Sequence, residues 1–235
     1  MDDAHAKRIL ARSLCALTVM LAGCAETNFL PSWVPFQGEP PSSVPGIATP
    51  KQRIEQIREM GKEANGATAE RKREIVTQLS TSIRSEEDSM IREECVRALG
   101  NCFDAGAKGV LHAALDDPDA GVRTAACEAW GNRTDAEAAA ILSGALSGDI
   151  DLDVRLAAAR ALGKSKDPAA VTALGEALED RDPAMQNRAM LSLAKVTGKD
   201  FGGDAKRWRQ YVRGELPEAQ RPVSVVERLG GMFYD

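Results

Sequence analysis

Asp88-Ser89-Met90-Ile91-Arg92-Glu93-Glu94-Cys95-Val96-Arg97-Ala98-Leu99-Gly100 is the stretch that decides the fold, because it returns down the chain. Asp119, Val122, Arg123, Ala126, Ala129, Trp130 and Gly131 repeat its skeleton, as do Asp151, Val154, Arg155, Ala158, Ala161, Leu162 and Gly163. A looser fourth copy has Asp182, Met185, Gln186, Ala189, Ser192, Leu193 and Ala194. The common phrase is D-x-x-V-R-x-x-A-x-x-A-L-G. Apolar residues three, four and seven apart make each copy a helix with one buried stripe. Self-similarity at a fixed period of this size implies a stack of like helical units, none of which can bury its apolar face alone.

A second register lies between the copies. Leu79, Leu111, Leu142 and Leu174 recur, and so in parallel do Ile83, Leu115, Leu146 and Leu178. Each unit is therefore an antiparallel pair, with the leucine helix first (A) and the V-R helix second (B). Asp88, Asp119, Asp151 and Asp182 each stand three residues before the first apolar residue of a B helix, where a carboxylate accepts from orphan N–H groups. Gly100, Gly131 and Gly163 close those helices, and are expected to supply a positive φ. Pro118, Pro168 and Pro183 fall in turns or first helical turns, where a missing N–H is tolerated. A chain that is 43% apolar and only 4% aromatic, rich in Ala and Leu, is expected to be all-α.

The first residues read as an address label. Lys7, Arg8 and Arg12 form a basic start, Ser13 to Ala22 a short apolar run, and Leu21-Ala22-Gly23-Cys24 follows. This tetrapeptide resembles a bacterial lipobox, which implies diacylation of Cys24, removal of residues 1–23, and palmitate-type anchoring to a membrane. Ala25 occupies the position where an Asp retains enterobacterial lipoproteins at the inner membrane, so the outer membrane of a bacterial envelope is the expected location. Without residues 1–23 the chain carries 27 basic and 33 acidic side chains, a net charge of −6, and one histidine, His112.

Residues 24–50 hold six prolines and are expected to be a tether, reaching up to about 80 Å at roughly 3.1 Å per residue. Phe29, Trp33 and Phe36 fit either a headgroup-layer contact or a plain linker. From Lys51 the chain becomes helical: a half-repeat at 51–64 ending near Gly61, then units at about 68–100, 104–131, 135–163 and 167–196. A cap over 197–213 and a tail over 214–235, with Val223, Val225, Val226, Leu229 and Phe233, complete the chain.

The repeated phrase resembles the B helix of HEAT repeats, particularly the bacterial kind grouped with phycobilisome-lyase HEAT-like repeats. The resemblance implies a right-handed α-α superhelix of four to five helix pairs. It also implies an Asp–Arg ladder between units, formed here by Asp88, Arg92, Asp119, Arg123, Asp151 and Arg155, and ending before Gln186. Thr197-Gly198-Lys199-Asp200-Phe201-Gly202 with Asp204 and Trp208 resembles the closing motif of HEAT-type bacterial lipoproteins, in which a Trp helix covers the last repeat.

In that family B helices line a concave recognition face. The matching variable positions are Glu93, Arg97, Thr124, Glu128, Leu156, Arg160, Asn187 and Leu191. Leu156 and Leu191 are either an apolar patch for a partner or core residues, depending on helix rotation. Trp130 fits a core slot, and His112 a solvated or half-buried site. Cys95, Cys102 and Cys127 leave at least one thiol unpaired, with a Cys95–Cys127 bridge and buried free thiols both open. No C-x-x-C or Cys/His cluster suggests a metal, no cofactor is indicated, and an acidic chain does not attract nucleic acid.

These readings converge on a non-enzymatic, membrane-tethered scaffold or adaptor for a protein or peptide partner. HEAT-like relatives include bilin lyases, a DNA glycosylase and a di-iron hydroxylase, but the repeated His-Glu pairs of the hydroxylase type are missing here. A structural envelope component acting by self-association and a lyase-related HEAT-like enzyme subunit are the alternatives, and the sequence leaves the oligomeric state open.

Overall fold

The computed structural model describes residues 48–133 and 136–215. Leu21-Ala22-Gly23-Cys24, the aromatic residues Phe29, Trp33 and Phe36, and the C-terminal valines lie outside the described residues. Among the described residues there are ten α-helices and no strand: α1 Pro50–Ala64, α2 Ala69–Ser85, α3 Ser89–Leu99, α4 Ala105–Ala113, α5 Ala120–Trp130, α6 Ala136–Gly148, α7 Leu152–Leu162, α8 Pro168–Glu176, α9 Pro183–Thr197 and α10 Ala205–Val212. Single 3₁₀ turns, Ala114–Asp116 and Ala177–Glu179, extend α4 and α8. None of the described helices is long and apolar enough to cross a membrane.

The helices form two layers. The odd-numbered helices, α1 to α9, pack one on the next as the B layer, and the even-numbered helices stand opposite as the A layer. Leu79, Leu111, Leu142 and Leu174 are fully buried, as are Ile91, Val122, Val154 and Met185 from the facing stripe. Ile83 and Leu115 are half-buried, while Leu146 and Leu178 are buried. Trp130 occupies the slot held by Leu99, Leu162 and Leu193 and is also fully buried.

Side-chain caps fix where the helices start. Asp88, Asp119, Asp151 and Asp182 accept from the first N–H groups of α3, α5, α7 and α9, each such cap contributing about 1 kcal/mol. Thr68, Asp104 and Asp167 do the same for α2, α4 and α8. Pro168 and Pro183 sit at N1, where no hydrogen bond is lost. Pro50, counted with the tether above, is the first residue of α1, whose cap Thr49 forms a reciprocal capping box with Gln52.

The glycines that close the B helices differ from expectation. Gly100, Gly131 and Gly163 have φ of −58°, −66° and −62°, an ordinary helical backbone. Space is the reason they are glycine. A Cβ at Gly100 would stand 2.9 Å from the Ala129 Cβ, one at Gly131 2.7 Å from the Ala161 Cβ, and one at Gly163 3.0 Å from the Ser192 Cβ. Each glycine thus lets the next B helix approach, and the small residue it meets is the Ala of the repeated phrase or its Ser192 counterpart. Gly61 belongs to the same series, 3.0 Å from the Ala98 Cβ, and lies inside α1 rather than at its end. The left-handed stop is Gly198, with φ 68°, after α9.

Helix α10 closes the A layer. Trp208 is fully buried, donates from its indole to the Gly202 carbonyl at 3.1 Å, and meets Phe201 edge to face at 4.8 Å between centroids. Val212 packs so closely on α8 that only a glycine fits at Gly175. The expected Trp cap over the last repeat is therefore present, assembled from Phe201, Trp208, Tyr211 and Val212.

Candidate functional site

Two rows of charged side chains run along the B layer, and they have to be separated before either is read as a site. The first row lies at the helix starts. Arg92 forms a forked pair with Asp117 at 2.9 and 3.0 Å, and Arg123 one with Asp149 at 2.8 and 3.0 Å. Arg155 approaches Asp180 at 3.9 Å, and Arg53 pairs with Glu86. A second guanidinium nitrogen donates to the preceding loop: Arg92 to the Glu87 carbonyl at 2.9 Å, Arg123 to Asp117 at 2.9 Å, and Arg155 to Asp149 at 3.1 Å. Each arginine therefore ties its own loop to the loop of the next unit.

The ladder exists, but its acidic rungs are not the ones expected from sequence. Asp88, Asp119 and Asp151 are occupied as helix caps, and the arginines take Asp117, Asp149 and Asp180 instead. Each of these stands two residues before a cap and also accepts from that cap's backbone N–H, at 2.9 Å for Asp119, 2.8 Å for Asp151 and 2.8 Å for Asp182. Gln186 keeps only the loop bond, to the Asp180 carbonyl at 2.7 Å, so the paired ladder ends there.

Hydrogen bonding from Arg123 holds the Asp149 carboxyl below the ordinary aspartate range, overcoming burial. Burial alone would raise Asp117, but the Arg92 hydrogen bond, the Asp119 N–H and the charges of Arg92 and Arg123 together leave it lowered. Such charge-assisted forks are strong for hydrogen bonds and fix geometry as well.

The second row faces outward from the middle of the B helices. Arg58 forks onto Glu94 at 3.1 and 3.1 Å, Arg97 pairs with Glu93 within its own helix, and Glu128 stands 3.8 Å from Arg97 and 3.9 Å from Arg160. The contacts through Glu128 are looser and wetter than the forks of the first row: the Arg160 side chain is 51% exposed, against 12% for Arg123. Arg97, Glu128 and Arg160 line a depression of about 320 Å³ floored by Ala125 and Ala129, with Asn132 and Lys164 completing its wall. Of the other expected face positions, Thr124 is half-buried, Asn187 is exposed, and the two leucines part company. Leu156 packs half-buried against the core, whereas Leu191 is 47% exposed.

Sequence reasoning overlooked Asn132 and Lys164, which lie just past the closing glycines, outside the repeated phrase. It also overlooked Arg133. That guanidinium is buried, donates to the Cys102 carbonyl at 2.8 Å, and lies 5.4 Å from the Phe103 ring and 5.6 Å from the Trp130 ring. Trp130 serves the core, although its buried indole N–H meets no acceptor among the described residues. His112 is exposed.

Cys95, Cys102 and Cys127 are buried free thiols. Burial pushes Cys95 and Cys127 up to about 12 and raises Cys102 as well, so none is poised as a nucleophile. Among the described residues no three of His, Cys, Asp and Glu are placed to hold a metal ion.

With this geometry in place, the family comparison is decisive. The model for HEAT repeats matches residues 76–155 and 145–205, more than half of the chain. The chain belongs to the HEAT-repeat family. No curated protein matches it in sequence.

Among solved structures, human deoxyhypusine hydroxylase in complex with glycerol is similar at TM-score 0.47 and 23% identity over 53% of this chain. This HEAT-repeat chain spans only 44% of that enzyme's chain. The CpcE–CpcF complex of phycocyanin lyase from Nostoc sp. PCC7120 is similar at TM-score 0.44 and 19% identity, covering 66% of this chain and 97% of that one. A designed armadillo repeat protein in complex with the peptide (KR)4 is similar at TM-score 0.45 and 18% identity, covering 78% of this chain and 96% of that one.

Proposed function

We propose that this HEAT-repeat chain is a non-enzymatic adaptor, tethered to a bacterial envelope membrane through a lipid on Cys24, that binds a protein or peptide partner along its B-layer face. The observation that carries the reading is the division of labour between the two charged rows. The stack is held by its buried stripe, its glycine contacts and the Asp–Arg forks at the helix starts. The outward row of Arg97, Glu128 and Arg160 is largely exposed, its members approach one another only at 3.8 and 3.9 Å, and it is arranged round a depression. Exposed ion pairs of this kind contribute little to stability, so their side chains are available for recognition. The tethering half of the reading is supported by the order of basic start, apolar run and Leu21-Ala22-Gly23-Cys24, since acyl chains contribute about 0.8 kcal/mol per buried CH₂.

Two arms test this. Photo-crosslinking groups placed at Thr124, Glu128 and Asn187 should yield a discrete adduct in envelope membranes, while groups at Lys108 and Thr172 on the A layer should not; equal labelling from both layers would contradict the reading. In the second arm, Cys24→Ala should abolish palmitate labelling and release the protein from the membrane fraction. Retained labelling would remove the anchor from the proposal.

A further inference from the structure

The B-layer face is not uniform in charge along its length. Toward its N-terminal end Arg58 has Glu94 close by, and Arg97 has Glu93. Past Glu128 this compensation stops. Arg160 reaches Glu128 only at 3.9 Å, beyond hydrogen-bond distance, and Glu128 is already shared with Arg97 at 3.8 Å. Lys164, one helical turn further along the same depression, makes no ion pair among the described residues.

Helix α9, which packs beside α7, prolongs this end of the face. Its sequence, Pro-Ala-Met-Gln-Asn-Arg-Ala-Met-Leu-Ser-Leu-Ala-Lys-Val-Thr, contains no acidic residue. At the phases of Arg160 and Lys164 it presents Leu191, 47% exposed, and Lys195, also exposed. Beyond Glu128 the face thus offers two cations, then an apolar side chain, then a third cation.

We infer that the partner of the B-layer face docks at this α7–α9 end with an acidic, amphipathic peptide segment, its carboxylates on Arg160 and Lys164 and an apolar side chain on Leu191. The inference rests on the adaptor reading and adds the chemistry of the ligand. A guanidinium fork without a close acceptor suits a carboxylate, and the neighbouring ammonium adds a second charge-assisted contact. Short range matters here. The chain as a whole carries a net charge of −5, so an extended anionic surface or polymer is repelled at a distance, whereas a peptide bearing a few acids meets only the local excess of positive charge.

The test uses the full chain in detergent with two fluorescein-labelled peptides, one a Glu-Glu-Leu repeat and the other its Gln-Gln-Leu counterpart. The Glu peptide should bind at least about tenfold more tightly than the Gln peptide at low salt, a difference that shrinks as salt rises. Arg160→Ser with Lys164→Ser should erase the preference while the melting temperature holds, and Arg160→Lys with Lys164→Arg should retain it. Equal affinity for both peptides would overturn the inference, as would a preference that survives the double serine variant. With Cys24→Ala to remove the anchor, binding of phosphatidylglycerol vesicles in place of the peptide that is lost in the double serine variant would overturn it too. A B-layer crosslink to a partner whose binding ignores peptide charge would leave the adaptor reading standing without this inference, whereas the lack of any B-layer crosslink would remove both.

Discussion

Arg123 and Arg160 sit on neighbouring helices of one layer, yet their surroundings are opposite. Arg123 is nearly buried, forks onto Asp149 and bonds a loop carbonyl, so each of its three guanidinium nitrogens has a fixed acceptor. Arg160 is half in water, with one carboxylate at 3.9 Å. The same residue type is a structural tie at one phase of the helix and a solvated, loosely paired group at another. The comparison teaches that in a repeat protein the regular positions explain the fold, because regularity is what stacking demands of each unit, and leave the irregular ones free to vary.

The sharpest way to break the comparison is to remove the tie. Arg123→Ala should destabilise the protein by about 3 kcal/mol, near the lower end for losing one partner of a buried pair, read from urea unfolding. A loss no larger than that of Arg160→Ala would erase the distinction between the rows. Next in size is the glycine contact. Gly131→Ala should cost about 2 kcal/mol through overpacking against Ala161, despite alanine's better helix propensity. Gly144→Ala, in a helix with nothing within 4 Å of the added Cβ, should stabilise by about 0.5–1 kcal/mol. If Gly131→Asn were tolerated, backbone conformation rather than space would be the reason for glycine there.

A smaller effect should follow pH. Asp117 and Asp149 titrate lower in the folded protein than unfolded. Their contribution is therefore complete above the unfolded aspartate value of about 3.9 and is lost as pH falls through the folded values. Asp149→Asn should flatten the decline of melting temperature below pH 4 relative to the parent chain. An unchanged acid profile would mean that the ladder carboxylates do not couple to folding.

Most of the fold was legible because the chain states it repeatedly: period, helix type, caps and buried stripe all stand in the phrase around Asp88. What failed did so for physical reasons. Asp117-x-Asp119 and Asp149-x-Asp151 offer two carboxylates two residues apart, and sequence alone does not say which caps the helix and which reaches the arginine. A glycine at a helix end reads equally as a left-handed stop or as a gap for a neighbour, and only the distance to Ala161 decides. The first B helix escaped full recognition because Thr49, Arg53, Arg58 and Gly61 precede Asp88, Arg92, Arg97 and Gly100 by 39 residues instead of 31 or 32. The intervening α2 is 17 residues long, against 9 for α4. The face was half legible: Arg97, Glu128 and Arg160 share a phase and a depression, while Lys164 lies beyond the phrase and Leu156 packs half-buried against the core.

The most direct measurement compares two variants in the same two assays: Arg97→Ser/Glu128→Ser/Arg160→Ser on the face and Arg123→Ser on the edge, each followed by thermal unfolding and by crosslinking yield in envelope membranes. The face variant should unfold within about 0.5 kcal/mol of the parent, as exposed substitutions do, and lose most of its crosslinked partner. The edge variant should unfold far earlier. A face variant that unfolds as early as the edge variant, or that keeps its partner in full, would contradict the account.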